Sequence, residues 1–430
     1  MSIKDIHYFC GDLSGLMFPA DIDGLVASGA EFLTKAFRAS GILDERGCVS
    51  AVDRLAAFEG GSTGQKAELT VSYNSVSKPL SKHLFVKFSR DFNDSKRDST
   101  RVQMASEVYM ARLSAMPGFP LMIPRCFFAD YHAESGSGIL ITERVPFGEA
   151  DIEPLKPKSV DHMYSDVVAY YRCVLADLGT LAGTHAAGKL STMVEQWFPF
   201  NPKTLLVDTR PAPTTADLAV KIDQFESFIE AYPQLLPSSI ASPALILTLR
   251  EGAPMIVAAE AAIFDVLGAD PAYIALCHWN AQLDNAWFWR SDKNDLRCGL
   301  MDWGNAGQLN VAMAIWGCLC GAQIQVWEQI DDLVAVFIEA FYRAGGRMLR
   351  REQVMAHLDL YIAHMGVRYM LDTPSYIQSR LPAGSRPNGY LDPIIQDDER
   401  LRSQLAILAN FLGRWVRRDY SAMIRAFITE

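Results

Sequence analysis

Burying an unpaired ammonium is costly, so a lysine set inside a strand calls for an acidic partner. Lys87 in HLFVKF (83–88) and Glu107 in the helix-like run ASEVYMARLSA (105–115) suit that pairing. Upstream, GGSTG (60–64) separates two strand-like runs. A glycine-rich turn lets backbone N–H groups approach phosphate oxygens without a Cβ in the way. Gly61, Ser62, Thr63 and Gly64 are therefore a candidate phosphate cradle, with an ordinary hairpin turn as the alternative. Downstream, CHWNAQLDNAWFW (277–289) and CGLMDWGNAG (298–307) bring a histidine, amides and carboxylates close together. Phosphoryl transfer needs a cradle, a cation fixed over the phosphates, and acidic or amide oxygens for magnesium. The chain offers these in that order.

The elements that must position these groups fall into two kinds. Residues 21–40 place Leu25, Phe32, Leu33 and Phe37 at helical spacing and stop at Gly41, which predicts an amphipathic helix. VSAVDRLAAF (49–58), AELTVSY (67–73) and HLFVKF read as strands, and alternation puts Lys87 on the face of Phe85. Thr100 and Gln103 suggest a capping box at the start of the helix that carries Glu107. LMIPRCFF (121–128) and GILITERV (138–145) read as two more strands. Beyond about residue 150 the pattern turns helical, as in VVAYYRCVLADLGTLAGTHAA (167–187) and DDLVAVFIEAFYRA (331–344), with Pro-rich loops near 198–213 and 382–393. The expected fold is α+β: a small mixed β lobe over 1–147, then a large mainly helical lobe over 148–430.

At 430 residues and 50% hydrophobic composition the chain can bury two substantial cores. Its net charge of −10 is spread without a basic run, which argues against a nucleic-acid surface. The first residues lack a secretory pattern, and no stretch approaches the apolar length of a membrane helix. Eight cysteines without paired metal spacing point to a reduced, cytoplasmic protein, with Cys318 and Cys320 as ordinary buried thiols. The tryptophans at 279, 287, 289, 303 and 316 are expected in the core, although one could wall an apolar pocket.

The segments 277–289 and 298–307 resemble the catalytic loop and metal-binding strand of the aminoglycoside phosphotransferase and choline kinase superfamily. That pattern runs His-Gly-Asp or His-Asn-Asp, four residues, Asn, then an apolar strand ending in Asp-Trp or Asp-Phe. The order of GGSTG, LFVKF, SEVYMARL, GILITERV and LAGTHAA ahead of the loop looks most like the ecdysteroid-kinase-like branch and covers roughly residues 20–325. The resemblance implies a two-lobed protein-kinase-like fold that uses ATP and magnesium on a small-molecule hydroxyl. It implies that Lys87 meets the α and β phosphates, that Glu107 orients Lys87, and that Glu143 to Val145 form the hinge under adenine. His278 matches the loop histidine, and Asn285 and Asp302 match the metal ligands. His185, in THAAG, is implied to support the loop from beneath.

Asn280 falls where that pattern has its catalytic aspartate, and Trp279 and Asn310 are further departures. An amide oxygen has negligible basicity, so Asn280 cannot take a proton from a hydroxyl at neutral pH. Shifting the register to Asp284 would put Trp289 at the metal position, which has no oxygen to offer. Phosphoryl transfer draws mostly on positioning and electrostatics, so a base-free kinase is physically open. The alternatives are a nucleotide-binding pseudokinase and nucleotidyl transfer or carboxylate activation. The tryptophans and modest acidity lean toward an apolar hydroxylated acceptor.

Overall fold

Strands built from alternating Leu, Val and Ala, and helices built from 3.6-residue apolar stripes, assort along this chain as the pattern above requires. A computed structural model describes residues 6–58, 64–76, 78–202 and 211–429, with side chains through 426. It divides into two compact units. The first holds residues up to Ile152 together with Leu190–Pro199 and Gly299–Ala306; the second holds Glu153–Lys189, Phe200–Cys298 and Gly307–Glu430.

In the first unit a short hairpin, β1 (Tyr8–Cys10) and β2 (Met17–Pro19), precedes helix α1 (Ile22–Ala39), whose N-cap Asp21 accepts from the Gly24 N–H. Strands β3 (Cys48–Ala57), β4 (Lys66–Asn74), β5 (His83–Phe88), β6 (Cys126–His132) and β7 (Ser137–Glu143) form one antiparallel sheet in the order β3-β4-β5-β7-β6. Leu69, Val71, Leu84, Val86, Ile139 and Ile141 bury one face of it against Phe32, Leu33 and Phe37 of α1. Helix α2 (Arg97–Ser114) packs Met104, Val108 and Ala111 against Ala129, Tyr131 and Leu140.

Two local expectations are corrected. The capping box at Thr100 does not form, because α2 starts a turn earlier at Arg97, where the Asp94 carbonyl accepts the Arg97 N–H and the Asp94 side chain accepts the Lys96 N–H. Thr100 lies inside the helix and its hydroxyl donates back to the Lys96 carbonyl at 2.8 Å. The strand read from 121 begins only at Cys126, since Pro124 holds the preceding residues out of the ladder.

The second unit is mainly helical: α3 (Val167–Ala186), α4 (Thr215–Ala231), α5 (Pro243–Ala258), α6 (Glu260–Ala269), α7 (Val311–Leu319), α8 (Ile330–Arg343), α9 (Arg351–Tyr369) and α10 (Glu399–Arg417). Gly179 and Gly183 let α3 approach α8 closely: a Cβ on Gly183 would sit 2.1 Å from the Phe341 carbonyl oxygen. Its short strands include β8 (Ile274–His278) and β9 (Ala286–Arg290), which bracket the loop that carries Asn280. Among the described residues no single helix is long and apolar enough to cross a membrane.

Candidate functional site

Lys87 is near the end of β5, and its side chain is buried at 6% exposure. Its ammonium is ion-paired to Glu107 of α2 and donates to Asp302 Oδ1 at 2.7 Å. Glu107 is equally buried, at 5%. These three groups, separated by up to 215 residues of chain, come together because Gly299–Ala306 belongs to the first unit. The return of the chain is made fast by the Leu300 N–H donating to the Met122 carbonyl and by Gln103 Nε2 donating to Asn305 Oδ1.

The charges settle in a definite order. Burial works against the Lys87 ammonium, but the charges of Glu107 and Asp302 outweigh it and hold the proton more firmly than usual. Burial also works to raise Asp302, yet Lys87 and a hydrogen bond with Glu107 hold that carboxyl well below the usual carboxylate range. Glu107 moves the other way: burial first, then the neighbouring Asp302 charge, push it up against the pull of Lys87. Asp302 is thus the more firmly ionised of the two carboxyls, while burial works against the charge of Glu107. Asp302 also sits at φ 62°, ψ 61°, a left-handed conformation uncommon for non-glycine residues and one that aspartate adopts more readily than most.

The predicted cradle reaches this cluster at one described position. Gly61, Ser62 and Thr63 lie outside the described residues. Gly64 has φ +67°, and a Cβ there would lie 1.8 Å from the Phe88 carbonyl oxygen, so only glycine fits beside β5. A cavity lined in part by Gly64, Lys87, Ser89, Arg97, Gln103 and Glu107 adjoins it. At the other end of the sheet Glu143 closes β7, paired with Leu84, and the Val145 carbonyl accepts from the Phe147 N–H.

In the second unit the loop after β8 is tied to itself. The Asn280 N–H donates to His278 Nδ1 at 3.2 Å, and His278 is fully buried. Gln282 Nε2 donates to Asn280 Oδ1 at 2.9 Å, so the Asn280 amide oxygen is engaged and its NH₂ remains the group able to meet a ligand. Asn285 Nδ2 donates to the Asn280 carbonyl at 2.7 Å, which leaves Asn285 Oδ1 as the atom that can take a cation. The loop is backed by α7: a Cβ on Gly317 would fall 1.4 Å from the Trp279 carbonyl oxygen. Trp279 Nε1 donates to Tyr361 Oη at 2.8 Å, and His185 Nδ1 accepts the Leu276 N–H at 3.1 Å.

Sequence reasoning had no signal for Gln282, since only coordinates show which amide it faces. Asn310 is also explained here. Its Oδ1 caps α7 by accepting the Ala312 N–H, while its Nδ2 donates to the Leu267 carbonyl at 2.8 Å, a bond that an aspartate could not make.

Asp161, also in this unit, accepts the Gln323 N–H at 2.7 Å and the Tyr171 hydroxyl at 3.2 Å. Burial first, with the Asp284 charge adding, pushes its carboxyl up to about 6. The folded state therefore holds the proton more tightly than the unfolded chain. The stability that follows is complete below about 4 and is lost as pH rises through about 6, on the order of 2–3 kcal/mol. Melting of Asp161→Asn against the native protein from pH 4 to 7.5 should show the variant gaining relative stability as pH rises. A constant difference would remove this account of Asp161.

Asp302 in the first unit and Asn285 in the second each offer a hard oxygen donor of the kind magnesium takes alongside substrate phosphates. No family model matches the chain, and no curated protein does. Solved structures do match. The chain is similar to a choline/ethanolamine kinase family protein from Mesorhizobium loti, at 13% identity over 88% of this chain and 93% of that one, with a TM-score of 0.40. It is similar to choline kinase from Cryptosporidium parvum Iowa II, at 10% identity over 93% and 94%, TM-score 0.39. The microcompartment-associated aminopropanol kinase gives 12% identity over 91% and 98%, TM-score 0.41.

Proposed function

We propose that the chain is an ATP- and magnesium-dependent phosphotransferase acting on a hydroxyl of a small molecule, with Asn280 working as a hydrogen-bond donor rather than a base. The observation that carries this reading is the buried Lys87 held between Glu107 and Asp302. A lysine fixed this firmly by two carboxylates is an expensive arrangement for a fold that handles no phosphate.

In this reading Lys87 meets the α and β phosphates and Glu107 holds it in line. Backbone N–H groups of Gly61, Ser62, Thr63 and Gly64 cradle the phosphates. The backbone from Glu143 to Val145 receives adenine. Asp302 and Asn285 would hold magnesium, which would neutralise charge on the phosphates. His278 fixes the loop backbone, and the Asn280 NH₂ orients the acceptor oxygen. That oxygen bonds to the γ phosphorus as the bond to ADP breaks, and the hydroxyl proton leaves to a group of the substrate or to water. The acceptor is a hydroxylated molecule with an apolar body, and the setting is the cytoplasm.

Two measurements test this together: the melting temperature with ATP and magnesium, and product analysis that resolves ADP from AMP across hydroxylated metabolites. A ligand at 100 times its Kd adds about 2.7 kcal/mol, which is a rise of several degrees. ADP formation is the expected product. A second reading, nucleotide binding without turnover, draws on the engaged Asn280 oxygen; it predicts the rise in melting temperature with no ADP. AMP would mean nucleotidyl transfer, and an unchanged melting temperature would remove the nucleotide site altogether.

A further inference from the structure

The antiparallel register of β4 and β5 sets Lys66 directly opposite Lys87, with Ala67 opposite Val86 beside them. Directly opposed residues share a face of the sheet. Ala67 and Val86 are fully buried in the core, so the two lysines occupy the other face, the one that carries Glu107 and Asp302 around Lys87. Lys66 is half-buried and makes no ion pair among the described residues. It lies two positions after Gly64.

Like charges directly opposite each other across a strand pair are destabilising, and partial burial of an ammonium with no direct ion pair adds to that penalty. Burial and the charge of Lys87 accordingly lower the Lys66 ammonium, against the pull of Asp302 and Glu107. A threonine or valine would suit the strand better. The two lysines also differ in what they can offer. Lys87 is flanked by two carboxylates and brings little net positive charge to a ligand. Lys66 is uncommitted.

We infer that Lys66 is a second phosphate-binding cation, placed opposite Lys87 to bind the polyphosphate chain of a nucleoside triphosphate and supply the net positive charge that the Lys87 cluster lacks. The inference rests on the nucleotide reading above. It also bears on Asn280: where no carboxylate is available as a base, added positive charge along the phosphates stabilises the charge that builds on the departing ADP.

The test uses the full chain with Lys66→Met and Lys66→Arg, reading the melting temperature without nucleotide, the rise produced by ATP with magnesium, and the Kd values for ATP and ADP. Lys66→Met should melt higher than the native protein without nucleotide, because the like-charge pair is gone. It should bind ATP about 10- to 100-fold more weakly, with a smaller loss for ADP. Lys66→Arg should keep native affinity within a few-fold. A lysine with a merely structural role would move the first two readings together, so a lower melting temperature with weaker binding overturns the inference. So does ATP binding by Lys66→Met within twofold of native. If the native protein itself shows no response to ATP with magnesium, the nucleotide reading falls and takes this with it; a normal native response beside an unchanged variant removes Lys66 alone.

Discussion

On the phosphotransferase reading proposed above, Lys87→Met should abolish the rise in melting temperature with ATP and magnesium and lower turnover by about 10²- to 10³-fold. The substitution removes the ammonium that Glu107 and Asp302 both hold. It also leaves the buried Glu107 carboxyl without its cation and facing the partly exposed Asp302 carboxylate. Breaking a buried ion pair by deleting one partner costs about 3–5 kcal/mol. The loss has a pH signature: without Lys87 the Glu107 carboxyl, already raised by burial, rises further, so the folded state binds its proton more tightly. Stability of the variant is therefore retained below the ordinary glutamate range and lost as pH rises past it. Lys87→Met/Glu107→Gln should recover much of the stability near pH 8 and none of the turnover. Equal melting temperatures for the single variant at pH 5 and pH 8 would show that Glu107 is not the group left uncompensated.

Asn280→Ala lowers kcat about 10²-fold, while Asn280→Asp gives no gain over the native protein beyond a few-fold. An alanine removes the NH₂ that, on the proposed reading, orients the acceptor, and a single well-placed donor at a reacting centre is worth about 10²–10³ in rate. An aspartate would keep the bond from Gln282, whose Nε2 donates to the oxygen at this position at 2.9 Å in the native loop. It would present an oxygen where the native protein presents N–H groups. Steady-state kinetics with ATP and the best acceptor decide the matter. A variant faster by 10² or more would return the general base to position 280 and make the native chain an impaired relative of an active enzyme.

Much of the candidate site was legible because it rests on short-range pattern. Lys87 and Glu107 were readable as a pair since a strand period and a helix period each fix which face a residue takes, and the run 83–88 matches β5 at both ends. Asp302 was legible only through its resemblance to a known pattern. Nothing local in MDWGN says that the chain returns to the first unit there. The Thr100 misreading has a plain cause: a Thr-x-x-Gln signature can occur inside a helix that has already begun upstream, here at Arg97. Gln282, Lys66 and the left-handed backbone of Asp302 were out of reach, because each depends on register or on a partner distant in sequence.

The first unit is not a continuous stretch of chain, since Leu190–Pro199 and Gly299–Ala306 complete it. Leu190–Pro199 brings Trp197 to stack on Tyr109 of α2 at 5.5 Å, and Gly299–Ala306 brings Asp302. During synthesis the sheet and α2 therefore leave the ribosome well before the residues that finish their surface. A nascent chain cut short at Ile152 has the Lys87 and Glu107 pair without its second carboxylate, and Tyr109 without its stacking partner. The small lobe is complete only once translation has passed residue 306, so expressing it alone from its N-terminal residues would give a protein lacking part of its own site.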